Sequence, residues 1–232
     1  MQMASLFSCN KLSNMTLNLL DWHERIRRCS LKITFIVCYV LSIATLMLYI
    51  EDATAMETIV LLRHAEKPNA GLGQLSCQGL NRALALPEVL ITKFGKPDAI
   101  FAPNPSIKKE DHGVQYSYIR PLATIEPTAV RVGLSVNVQW GFDDIKPLNQ
   151  ALMDSSLKDA TVFVAWEHRL LDEIAKGLLT DLHAIPEVVP KWERDNFDSI
   201  YIITISEDSS GKKTASFKID AEGLNKLSST CP

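Results

Sequence analysis

From residue 56 onward, apolar runs and polar breaks divide the chain into short strands and longer helices. "ETIVLL" (57–62) is an apolar run that ends abruptly in Arg63, His64, Glu66, Lys67 and Pro68, the pattern of a buried strand. Ser76 can cap a helix from Cys77 to about Phe94, with Gly95 at its end and Pro87 expected to bend or split it. "DAIFAP" (98–103) predicts a second short strand, and the prolines, glycine and charges of 103–113 predict a loop. "VQYSYIRPLATIEPTAVRVG" has helical stretches interrupted by Pro121 and Pro127. "ATVFVAW" (160–166) is the clearest central strand, and "HRLLDEIAKGLLTDL" after it is an amphipathic helix. "SIYIITI" (199–205) is another buried strand, while "TASFKID" alternates as a sheet edge does.

Strands alternating with helices predict an α/β fold, a three-layer sandwich whose mainly parallel sheet carries helices on both faces. Such sheets bind ligands beyond the carboxyl ends of their strands. His64 lies just past the first strand and His168 just past "ATVFVAW", so two histidines far apart in sequence can converge there.

The first 55 residues differ from the rest. "LKITFIVCYVLSIATLMLYI" (31–50) has one charge, Lys32, and its length suits a bilayer span of about 20 apolar residues. "ERIRR" before it and "ED" after it place the N-terminal flank in the cytoplasm and the remainder outside. The chain therefore divides into a cytoplasmic segment (1–30), a transmembrane helix or signal peptide (31–50), a linker (51–55) and one domain (56–232). A single-pass signal anchor is the first reading. A signal peptide cleaved after Ala55 in "ATA" would secrete the domain, and a true start at Met56 would leave it cytoplasmic.

Composition narrows the field. With 232 residues, 47% of them hydrophobic, and a net charge of -3, the chain can bury one substantial core and has no basic block suited to nucleic acid. Its five cysteines form no CxxC pair, which argues against structural zinc. Cys77 and Cys231 can pair in an exported domain, and free thiols fit the sequence equally well.

A lone histidine at a strand end is usually an ordinary polar residue. Arg63 beside His64 changes that, because a planar guanidinium suits bidentate contact with phosphate. "IVLLRHAEKP" resembles the signature of the histidine phosphatase superfamily, the phosphoglycerate-mutase-like enzymes, in their small bacterial form. "LSCQGLNRA" (75–83) is similar to the family's helix opening. "IRPLAT" supplies Arg120 and Thr124 where the family has a second arginine, and "VFVAWEH" supplies His168 where it has a second histidine. The resemblance spans residues 57 to about 205.

It implies a phosphomonoester hydrolase in which His64 attacks phosphorus, Arg63 and Arg120 bind the phosphoryl oxygens, and His168 assists. No metal or cofactor is needed, and the substrate is a phosphorylated small molecule or phosphoprotein. The chain departs from mutase-type members, which carry a glutamate between the second arginine and second histidine in a segment not found here. Glu167, adjoining His168, is the first choice for the acid, although neighbours on a strand point to opposite faces. Asp143 and Asp144 in "WGFDDIKP", Glu66 and Glu126 remain open. A mutase-type phosphotransferase and a non-catalytic phosphate-binding module at a membrane are the alternatives. A metal hydrolase is disfavoured because spacing such as HxxxH is absent.

Overall fold

The structure, a computed structural model, describes residues 55–232 together with Arg27. The expected membrane span at 31–50 lies outside the described residues, and among the described residues no helix is long and apolar enough to cross a membrane.

The run of Ile, Val and Leu after Met56 forms β1 (Ala55–Arg63), the centre of the fold. It pairs in parallel with β6 (Thr161–Trp166), whose other edge pairs in parallel with β2 (Ala99–Phe101). β2 in turn holds the short β5 (Val136–Asn137), also parallel. On the far side of β1, β7 (Ser199–Glu207) and β8 (Lys213–Ala221) add antiparallel strands. The six-stranded sheet therefore runs β5-β2-β6-β1-β7-β8, mainly parallel with an antiparallel edge.

Strand periodicity sends alternate side chains to opposite faces, and both faces here are apolar. Ile59, Leu61, Val162 and Val164 bury against α3 (Ile145–Leu152) and α4 (His168–Asp181). Val60, Leu62, Phe163 and Ala165 bury against α1 (Cys77–Phe94) and α2 (Arg120–Val132). The result is the expected sandwich, helices on both faces of the sheet.

Two helix expectations need correction. Pro87 does not split α1, and neither Pro121 nor Pro127 interrupts α2. An interior proline costs about 3 kcal/mol in a helix on its own. Pro87 is itself buried beside Leu86 and Leu90, and Pro121 sits in the first turn of α2, where no donor is lost. The sheet face holds each helix together across the break.

The loop expected over 103–113 is a second correction. Lys108–Asp111 (β3) and Val114–Ser117 (β4) form a separate two-stranded hairpin. Its turn is His112-Gly113, with φ of 53° and 79°, so both residues adopt the left-handed form that tight hairpins need.

Candidate active site

β1 and β6 end side by side, with Arg63 opposite Trp166, and the His64 amide donates to the Trp166 carbonyl at 2.9 Å. The residues that follow each strand therefore emerge at one place. They line a cavity of about 420 Å³ together with Arg120, at the start of α2, and residues of the β3–β4 hairpin. Of the sequence-predicted set, His64, His168, Glu167, Arg63 and Arg120 all meet there.

The His64 ring is buried, and its Nδ1 lies 2.8 Å from the Ala65 carbonyl. A carbonyl only accepts, so Nδ1 carries the proton and Nε2 keeps its lone pair. Burial pushes the imidazole pKa down to about 3, helped by the Arg120 and Arg63 charges and opposed by the Ala65 bond and Glu167. His64 is therefore neutral at physiological pH, with Nε2 nucleophilic.

Arg63 is clamped rather than free. Its Nη1 donates to the Asn196 carbonyl at 2.7 Å, and its guanidinium carbon stacks 3.7 Å from the centre of the Phe197 ring. Burial lowers its pKa to about 10, still fully charged near neutrality. Arg120 Nη1 donates to Asp111 Oδ2 at 2.7 Å, and the other oxygen of Asp111 accepts from Lys67 at 2.7 Å. Thr124 fixes the Arg120 turn to the His64 segment: its hydroxyl donates to the Arg120 carbonyl at 2.8 Å and accepts from the Ala65 amide at 2.9 Å. Among the described residues, Nε of Arg63 and Nε of Arg120 are both buried without a hydrogen-bond partner.

Glu167 caps α4, its Oε2 accepting from the Arg169 and Leu170 amides at 3.1 and 3.3 Å. Capping turns the residue out of the strand, so Glu167 and His168 both reach the cavity despite being neighbours. Oε1 lies 2.9 Å from His168 Nδ1, a close contact that is not aligned as a hydrogen bond. Burial raises the Glu167 pKa, but His168, Lys109 and Arg169 outweigh it and hold the group at about 2. Glu167 is thus a carboxylate at neutral pH.

The other acid candidates do not line the cavity. Glu66 is held by Arg82 at 2.8 Å, Asp144 accepts from the Gly141 amide at 2.8 Å, and Glu126 is exposed on α2. Asp143 also lies outside the lining. Lys67, Lys109, Glu110, Asp111, Arg169, Arg194 and Phe197 complete the lining, and the sequence assigned none of them a role. The signal available for Lys109 and Asp111 was the His112-Gly113 pair between two short polar segments, an x-Gly turn that marks a hairpin. Among the described residues no group of three His, Cys, Asp or Glu side chains is placed to hold a metal ion.

Fold and site together define an α/β protein with a cationic, histidine-bearing cavity at the carboxyl ends of its parallel strands. No family model matches the chain, and no curated protein matches it. Solved structures similar to it include the candidate phosphohistidine phosphatase SixA from Nakamurella multipartitia, at 15% identity over 71% of this chain and 95% of that one, with a TM-score of 0.46. The candidate SixA from Agrobacterium tumefaciens is 14% identical over 70% of this chain and 97% of that one, with a TM-score of 0.39. A mycobacterial glucosyl-3-phosphoglycerate phosphatase, solved with inorganic phosphate, is 17% identical over 70% of this chain and 95% of that one, with a TM-score of 0.44.

Proposed function

We propose that this chain is a phosphomonoester hydrolase working through a phosphohistidine on His64. The observation that carries this is the pair of orphaned Nε donors on Arg63 and Arg120 beside a neutral, buried imidazole. A buried unpaired donor costs about 1–3 kcal/mol, and a phosphoryl oxygen would satisfy each one. Burial, helped by the same two charges that attract the phosphoryl, keeps His64 unprotonated.

In the first step Nε2 forms the N–P bond as the bond from phosphorus to the ester oxygen breaks. His168 gives that oxygen its proton, because Glu167 beside it is already ionised and an imidazole ring nitrogen can donate one. In the second step water attacks phosphorus, returns a proton to His168, and the N–P bond breaks to release phosphate. Arg63 and Arg120 stabilise the charge in both transition states, the main task in phosphoryl transfer.

His64→Ala should lower turnover of p-nitrophenyl phosphate by at least about a thousandfold with the fold intact by circular dichroism. Acid-labile, base-stable phosphate should be trapped on the wild-type protein during turnover. Equal activity in the variant would remove His64 from the chemistry. We also infer that the domain works outside the cytoplasm, which the Cys77–Cys231 disulfide supports; a C-terminal reporter active only in the cytoplasm would overturn that.

A further inference from the structure

We propose that the substrate carries a second anionic group, separate from the phosphoryl taken by His64, and that Lys109 binds it. This rests on the phosphatase reading above and goes one step further, to the class of substrate.

The cations of the cavity are not equivalent. Arg63 and Arg120 flank His64, and Lys67 is spent on Asp111. Arg169 is 71% exposed and leans on Glu167 at 3.4 Å, and Arg194 is exposed at the rim. Lys109 stands apart. It projects inward from β3, on the same side of the strand as Asp111, and is partly buried. Its Nζ lies 4.3 Å from the centre of the Phe142 ring and 5.1 Å from that of Tyr118. Among the described residues no carboxylate lies within ion-pairing distance of it. Burial accordingly holds its pKa below the ordinary lysine range.

Two aromatic faces steady an ammonium but offer it no lone pair, so its N–H donors are left for a ligand. Glu167 attracts it from beyond ion-pairing distance, but no carboxylate contacts it, and burying part of a lysine so placed is unfavourable unless something anionic meets it. The phosphoryl already has Arg63, Arg120 and His168, all carried by the main-sheet connections, whereas Lys109 comes from the separate hairpin. The cavity of about 420 Å³ is also large for a phosphoryl group alone and falls in the range of small-molecule sites. The chemistry points to a small organic phosphate bearing a second phosphate or a carboxylate, rather than to a phosphorylated protein side chain among neutral neighbours.

The test is calorimetric binding at fixed ionic strength of propylphosphonate against the ethane, propane and butane α,ω-diphosphonates, none of which can turn over. Wild-type protein should bind at least one diphosphonate about tenfold or more tighter than the monophosphonate. Lys109→Met and Lys109→Gln should remove that preference by weakening the diphosphonate about tenfold more than the monophosphonate. Lys108→Met, on the exposed side of the same strand, should retain it. Equal wild-type affinities, a preference that survives in both Lys109 variants, or variants that lose the monophosphonate equally would each overturn the assignment. Failure of every phosphonate, and of inorganic phosphate, to bind would instead overturn the phosphatase reading on which it rests.

Discussion

His64 owes its reactivity to its surroundings, and those surroundings make it measurable. Buried between two guanidinium groups, it holds a folded pKa of about 3 against an ordinary 6.5. The unfolded chain therefore binds a proton at this residue between those two values and the folded chain does not. Stability from this source is full above pH 6.5 and falls as pH drops toward 3. In the folded protein the His64 ring resonances should stay constant from pH 8 to 5 by NMR, and a midpoint near 6.5 would contradict the burial argument. Thr124 tests the geometry around it. Thr124→Val keeps the shape but leaves the buried Ala65 amide without its acceptor, which should cost about 1–3 kcal/mol in chemical denaturation. It should also lower phosphatase kcat, because Ala65 carries the carbonyl that orients His64.

At the scale of elements, α1 is positioned against the His64 segment by contacts at its first turns. Ser76 caps the helix through the Gly79 amide at 3.1 Å, and Gly79 packs so closely that a Cβ there would lie 2.2 Å from the Glu66 carbonyl. One turn later, Arg82 is 1% exposed and reaches Glu66 at 2.8 Å, Asp198 at 3.4 Å and Glu222 at 2.6 Å. It thus ties the residue two after His64 to the residue after Phe197, which stacks on Arg63. Arg82→Met would leave three carboxylates around an apolar side chain and should destabilise the fold by about 3–5 kcal/mol. The loss should grow with pH. Burial, then Asp198 and Glu66, hold the Glu222 pKa at about 7 despite Arg82. A raised carboxyl pKa means stability present at low pH and lost as pH rises from about 4.5 through 7. Glu222→Gln should therefore flatten the dependence of stability on pH between 5 and 8.

The same elements show what the sequence could express. β1, α1, β6 and α4 each bury a regular apolar pattern, so their limits, and the two histidines beyond the strands, were legible in it. The β3–β4 hairpin has Lys109 and Asp111 on its inner side, charges rather than hydrophobics, so apolar periodicity passes over it. The segment that clamps Arg63 through Asn196 and Phe197 is irregular and has no period at all. Arg82 looked like one polar residue on a helix because its three carboxylate partners are distant in sequence.

Across the whole molecule, one covalent tie spans nearly the entire domain. Cys77, at the start of α1, is bonded to Cys231 at a sequence separation of 154. The C-terminal tail is also held on α1 by the Asn81 amide, which donates to the Ser228 and Thr230 carbonyls at 2.9 and 2.8 Å. The closed loop contains β2 through β8 and every cavity residue beyond Lys67. Restricting an unfolded loop of that length can stabilise a protein by up to roughly 5 kcal/mol. In a domain of this size each kcal/mol moves Tm by about 2–4 °C, so reduction should lower Tm by several degrees and by at most about 10–20 °C. The Cys77→Ser/Cys231→Ser double variant should melt at the Tm of the reduced wild type and ignore reductant. Neither cysteine lines the cavity, so the variant should keep phosphatase activity at 20 °C, well below its transition. A wild-type Tm unchanged by reductant would show that the hydrogen bonds of Asn81 and the packing of α1 hold the tail without the disulfide. A variant that loses activity while still folded would show instead that the tie acts through α1 on Glu66 and the His64 segment, beyond its effect on stability.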